Sequence, residues 1–139
     1  MEDLKQSLCS KPILAHPDFS DDANPFIVYV DSSKTGIGAT IMQKQTFTHD
    51  GETREEEVVI AYASKALSVS EQHYGAYKKE LLGIVYAINH FRYYLLGKKF
   101  IICTDHKALE WLINTRSPNT PNLLYRWQDI LSEFDFEIC

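Results

Sequence analysis

The chain has 139 residues, of which 45% are hydrophobic, 12% aromatic and 24% charged, the usage of one globular domain able to bury a core. Fourteen basic and nineteen acidic side chains leave a formal net charge of −5. That excludes a generally basic nucleic-acid binder, though not a local basic track beside an acidic site. Six glycines and five prolines are too few for a collagen-like or disordered chain. The three cysteines, Cys9, Cys103 and Cys139, are odd in number and have no C-x-x-C spacing. Cys103 lies in an apolar run and reads as a buried, reduced thiol of an intracellular protein. Residues 1–8 are polar, unlike a signal peptide, and the longest near-continuous apolar run, Leu81–Ile88, is far short of the roughly 20 residues of a membrane span.

In chain order, Met1–Ser10 carries Leu4 and Leu8 at helical spacing, Ile13–His16 is extended between two prolines, and Asp18–Pro25 is built of turn residues. Phe26–Val30 is apolar at every position and reads as a buried strand. Gly36–Gln43 and Val58–Ala63 follow as strands, with Asp50-Gly51 marking the turn between them. Ser68 and Glu71 form a capping box. Beyond it, apolar residues at 74, 77, 81, 84, 85, 88, 91 and 95 predict one amphipathic helix ending at Gly97. Phe100–Thr104 is a fourth strand, His106–Ile113 a short helix, Leu123–Phe134 another, and Phe136–Ile138 a fifth strand. The last two strands each follow a helix, so an α/β fold with a mixed sheet is expected, its first three strands antiparallel.

Three acids break this pattern. Asp31 ends the run 26–30, and Asp105 ends the run 100–104. If those strands are parallel neighbours, both carboxylates lie at the carboxyl edge of the sheet, where open α/β sheets place ligands. Glu80 lies at or beside the apolar stripe of the long helix, directed at the sheet. Each has a plainer reading: an Asp after a strand is a common turn former, and Glu80 could flank the helix beside Lys78 and Lys79. Together, clustered carboxylates repel unless a cation neutralises them. Mg²⁺, a hard ion preferring oxygen ligands, and a two-ion arrangement suit phosphodiester chemistry.

The residues also carry a resemblance. The matching segments are Pro12-Ile-Leu-Ala-His-Pro-Asp-Phe19, Val30-Asp-Ser-Ser-Lys-Thr-Gly-Ile-Gly-Ala39, Ile60-Ala-Tyr-Ala-Ser-Lys-Ala-Leu67 and Lys79-Glu-Leu-Leu-Gly-Ile-Val85. His90-Phe-Arg-Tyr-Tyr-Leu95, Thr104-Asp-His-Lys-Ala-Leu109, Arg126-Trp127 and Phe134-Asp-Phe-Glu-Ile138 complete the set. Together they resemble, over nearly the whole chain, the ribonuclease H domain of gypsy-type LTR-retrotransposon reverse transcriptases, a part of a Pol polyprotein. The resemblance implies a ribonuclease H-like fold with flanking helices on a five-stranded sheet. It implies cleavage of the RNA strand of RNA–DNA hybrids using two Mg²⁺ ions, with Mn²⁺ as a substitute. Asp31 would bridge both ions, Glu80 would hold the product-side ion, and Asp105 the nucleophile-side ion. Hybrid selectivity would come from contacts to RNA 2′-hydroxyls, with Ser32, Ser33, Lys34 and His106 as substrate-binding residues. The implied partners are the hybrid and the polymerase portion of the polyprotein, with no membrane. The implied location is cytoplasmic, in a virus-like particle, or nuclear.

The resemblance also marks a departure. Residues 1–20 match the end of a polymerase connection, and 21–139 the ribonuclease H-like domain. The family's fourth acid, on a helix after a Pro-Gly turn beyond the fifth strand, has no counterpart among the 139 residues. The expectation is therefore a C-terminally truncated domain, its last helix missing, with impaired hydrolysis. The alternative is a non-catalytic module of this fold, a tether or domesticated host protein, acting in binding or assembly. Among smaller features, Gly36 and Gly38 read as a turn and a close backbone approach. His16, His49, His73 and His90 lack zinc spacing with the cysteines. Glu55–Glu57 reads as a solvated hairpin face, and Trp111 and Trp127 as core. Lys98, Lys99, Lys107, Arg116 and Arg126 read either as a hybrid-backbone track or as scattered surface cations.

Overall fold

The computed structural model describes residues 14–104, 107–109 and 122–138. Strand β1 is Phe26–Ser32, β2 Gly36–His49 and β3 Glu52–Ala66. Helices α1 (Val69–Gln72), α2 (Ala76–His90) and α3 (Arg92–Leu95) follow, then β4 (Lys99–Cys103), α4 (Asn122–Ser132) and β5 (Asp135–Ile138). The strands form one five-stranded sheet in the order β3-β2-β1-β4-β5. As expected, β2 pairs antiparallel with both β1 and β3, while β4 runs parallel to β1 and β5 parallel to β4.

Strand alternation assigns the two faces. Val28, Ile37, Ala39, Ile41, Phe100 and Ile102 are buried and join one core with α2 and α4. On the opposite face Tyr29 is 38% exposed and Tyr62 is 54% exposed. The run 26–30 is therefore not buried throughout. Phe26, Ile27 and Val28 are buried, but Tyr29 is not, because an apolar run does not by itself report how well each face is covered along its length.

The β2–β3 hairpin is longer than the alternation suggested. It turns at Asp50 and Gly51, whose φ angles of 52° and 82° are the left-handed pair a tight hairpin needs. The register continues out to His49↔Glu52, whereas β1 ends its pairing at Phe26↔Gln43. Residues 44–57 are thus a two-stranded arm. Glu55–Glu57 are exposed on it, as expected of a solvated face.

The capping box is present, but it caps α1. Ser68 Oγ accepts from the Glu71 N–H at 3.1 Å, and Glu71 Oε1 accepts from the Ser68 N–H at 2.9 Å. The long helix begins separately at Ala76 with Gly75 as its N-cap, and it is interrupted at Phe91 before α3. Gly97, at φ +79°, terminates α3, not one continuous helix. The Leu123–Phe134 and Phe136–Ile138 readings correspond to α4 and β5 with shifted ends. The reading of Met1–Ser10 as helix, most of the His106–Ile113 helix, Trp111 and Arg116 lie outside the described residues, although Lys107–Leu109 are helical, with Ala108 and Leu109 buried. Trp127 is core, 4% exposed.

Cys103 departs from the reduced-thiol reading: it is disulfide-bonded. The other two cysteines lie outside the described residues. Cys103 pairs with Tyr29 across the parallel strands and is only half-buried. Alternation places it on the face of β4 opposite the buried Phe100 and Ile102. An odd total does not forbid one pair.

Among the described residues one polar side chain is fully buried. Gln43, 0% exposed, accepts at Oε1 from the Asp18 N–H (2.9 Å) and Gln45 Nε2 (3.0 Å). Its Nε2 donates to the carbonyls of Asp18 and Asn24, both at 2.9 Å. Gln43 thereby pins the segment before β1 onto β2, helped by Gln45 Nε2 donating to the His16 carbonyl at 2.7 Å. Because each group left unpaired in a buried site costs about 1–3 kcal/mol, Gln43→Ala is expected to lower unfolding stability by at least about 2 kcal/mol in urea titration.

The Glu71 carboxyl is held below its ordinary value by the Lys65 ammonium, which donates to Oε1 at 2.7 Å, and by the Ser68 N–H. A carboxylate depressed in the folded state stabilises it fully above the ordinary value of about 4.3 and loses that contribution as pH falls through the lower folded value. The stability difference between the wild-type chain and Glu71→Gln should therefore be largest near neutral pH. It should shrink as unfolding is repeated below about pH 4.

Candidate active site

β1 and β4 are parallel neighbours in the register Ile27↔Ile101, Val28↔Ile102 and Tyr29↔Cys103. Their carboxyl ends therefore leave the sheet at the same edge. Asp31 lies two residues beyond Tyr29 and is exposed. Alternation turns it away from Val30 and Ser32, which face α2. Asp105 and His106, expected at the corresponding end of β4, lie outside the described residues.

Glu80 comes to this edge because α2 packs unusually close to β1. Gly83, three residues further along α2, is buried, and a Cβ there would stand 2.8 Å from Val30 Cγ1 and 3.2 Å from Ser32 Oγ. Only glycine lets the helix sit this low on the strand. The close approach was expected at Gly36 and Gly38. Gly36 is near the Lys65 carbonyl, 3.3 Å from where its Cβ would be, but Gly38 has nothing within 4 Å. The position that matters is Gly83.

Glu80 is half-buried, directed toward the sheet as its place on the helix predicted. Thr104 Oγ1 donates to its Oε1 at 2.9 Å. An open cleft runs between the end of β1 and the start of α2. It is lined by Asp31, Ser32, Lys34, Tyr74, Lys79 and Glu80, among others. Asp31 and Glu80, from different elements, thus line one cleft together with Lys34 and Lys79.

The expected substrate-binding residues separate. Ser32 and Lys34 line the cleft. Ser33 lines it too, but its hydroxyl is used within its own turn, donating to the Gly36 carbonyl (3.2 Å) and accepting from the Gly36 N–H (3.1 Å). Of the expected basic track, Lys98 donates to the Phe19 carbonyl at 3.2 Å and lies 4.5 Å over the Phe19 ring. Lys99 pairs with Glu137 at 2.8 Å. Both sit where β4 begins, the opposite end from Asp31, so they form no track beside the acids. Lys107 and Arg126 are exposed.

The donor set suits a hard divalent cation: all its ligating atoms are carboxylate and hydroxyl oxygens, and Mg²⁺ binds through one or two carboxylates, keeping waters and phosphate in its remaining positions. Among the described residues no group of three His, Cys, Asp or Glu side chains converges, and the four histidines outside position 106 are exposed.

A five-stranded mixed sheet in this order, with helices on it and acids at the parallel edge, is the ribonuclease H-like architecture, and solved structures agree. The foamy viral protease-reverse transcriptase in complex with double-stranded DNA superposes at TM-score 0.61 with 20% identity, over 99% of this chain and 27% of that one. The same viral protein in complex with an RNA/DNA hybrid gives 0.62 and 15%, over 99% of this chain and 17% of that one. The chain belongs to the family described as the RNase H-like domain found in reverse transcriptase, whose model matches residues 21–134. Among curated proteins it is 38% identical over 137 residues to the retrovirus-related Pol polyprotein from transposon 297 of Drosophila melanogaster, covering 99% of this chain and 11% of that one. It is 34% identical over 140 residues to the transposon Tf2-3 polyprotein of Schizosaccharomyces pombe, covering 99% and 10%. The chain therefore spans about a tenth of these relatives. It is an RNase H-like domain of a retroelement reverse transcriptase.

Gly83→Ala should report the close approach directly. Overpacking costs about 1–3 kcal/mol, against a helix-propensity gain of about 1 kcal/mol. The thermal midpoint is expected to fall, and to fall further in Gly83→Val.

Proposed function

We propose that this chain is the hydrolytic domain of a gypsy-type reverse transcriptase, cleaving the RNA strand of RNA–DNA hybrids with divalent-cation help. The observation that carries the reading is the shared cleft of Asp31 and Glu80 at the carboxyl edge of β1, in a chain of this family. Support for the substrate comes from the viral neighbour whose complex contains an RNA/DNA hybrid.

Asp31, Glu80 and Asp105 would hold Mg²⁺, or Mn²⁺ in its place, which when bound supplies an acidified water and neutralises charge at the scissile phosphate. The chain's own residues do the rest. Lys34 and Lys79, lining the same cleft, attract the phosphate backbone to an otherwise acidic protein. Tyr74 and the Ser32 hydroxyl offer an aromatic face and a polar group beside the carboxylates, suited to a sugar edge carrying a 2′-hydroxyl. The Gly36 turn keeps the Ser33 hydroxyl occupied, which holds the Lys34 backbone in place next to Asp31.

The test uses a hybrid labelled on its RNA strand, with Mg²⁺ or Mn²⁺, together with Mn²⁺ binding to the wild-type chain and to Asp31→Asn. RNA-strand cleavage that needs the cation, with Mn²⁺ binding weakened by Asp31→Asn, is the expected result. Unchanged Mn²⁺ binding in Asp31→Asn sinks the site assignment.

A further inference from the structure

Thr104 is not an obvious functional residue: it directly follows β4, where a β-branched side chain is ordinary. Its hydroxyl, however, donates to Glu80 Oε1 at 2.9 Å across twenty-four positions of sequence. The bond joins the end of β4 to the N-terminal half of α2. Both residues are half-buried, so the contact is partly shielded from water.

The chemistry of the two side chains gives the contact a direction. Glutamate has several freely rotating bonds that must be frozen before its carboxylate can hold a ligand. Threonine is β-branched and stiff at its one torsion, so its hydroxyl is a fixed anchor. A carboxylate oxygen that accepts one hydrogen bond keeps further lone-pair directions, so the tether orients the carboxylate without using it up. Partners of this kind behind a ligand typically tune metal affinity by about 10–100-fold.

We infer that Thr104 is a positioning residue, presetting the Glu80 carboxylate over the cleft it shares with Asp31 and thereby raising the affinity of that site for a divalent cation. The inference rests on the cation reading proposed above and goes beyond it by assigning a role to a residue that is not itself a ligand.

The test is Mn²⁺ binding to the 139-residue chain, read from the free-ion paramagnetic resonance signal, without substrate or turnover. Thr104→Val removes the hydroxyl at nearly constant shape and should weaken binding about tenfold. Thr104→Ser, which restores the hydroxyl, should bind close to wild type. The decisive arm is the double-mutant cycle with Glu80→Gln. If Thr104 acts through Glu80, Thr104→Val has no further effect in that background. Thermal unfolding of every variant is measured alongside, and Thr104→Ala replaces Thr104→Val if valine unfolds the chain. Wild-type affinity in Thr104→Val, with Glu80→Gln weakened, overturns the inference and leaves the cation reading intact. An equal loss in both backgrounds also overturns it, since the role is then structural. Unchanged binding in Glu80→Gln removes the cation reading itself, and the inference with it.

Discussion

The close approach of α2 to β1 at Gly83 is the constraint on which the site depends. A side chain at that position would stand 2.8 Å from Val30, so any larger residue lifts the helix away from the strand. Glu80 lies one turn before Gly83 on the same helix and gains its position from that contact. Its carboxylate can hydrogen-bond Thr104, beyond the end of β4, only because the helix axis is held low on the sheet. One missing methyl group thus sets the distance between an acid on a helix and an acid at a strand end.

The parallel pairing of β1 with β4 supplies the second half of the geometry. Two parallel strands end at the same edge, and in this sheet β1 is the central strand and β4 its neighbour, with β2 and β5 flanking the pair. The crossover between them contains α2, which explains why the same connection that makes the strands parallel also delivers Glu80. Topology and site have one origin.

Much of this was legible in the sequence, and what was not has identifiable causes. The order of strands, the switch to helical spacing after Ser68 and the placement of Asp31 at a strand end all follow from local pattern. The capping box was equally legible, but a box specifies where a helix begins and not how far it runs. Thus Ser68 and Glu71 cap a short helix, and α2 begins separately at Ala76 after its own N-cap, Gly75. Gly83 carried a signal that went unread: glycine in the middle of an apolar helical stretch costs about 1 kcal/mol against alanine, and such a cost asks for a packing reason. Thr104 carried none, since its partner is remote in sequence. Tyr29 misled because an apolar run cannot show how well each face of a sheet is covered along its length. Of the two readings of Lys98 and Lys99, the scattered-cation one holds, and charge alone could not decide it because their partners, Phe19 and Glu137, are remote in sequence.

The hairpin arm of residues 44–57 stands apart from all of this. Beyond Gln43 its two strands pair with each other and, among the described residues, with no third strand, and a two-stranded hairpin alone is marginal in water. The arm should therefore breathe independently, exchanging its amide hydrogens while the central strands keep theirs. That independence makes its tip at Asp50-Gly51 a natural attachment point. A fluorophore or an inserted epitope placed there would report on the domain's tumbling and contacts while leaving the acidic rim, at the other end of β1, undisturbed.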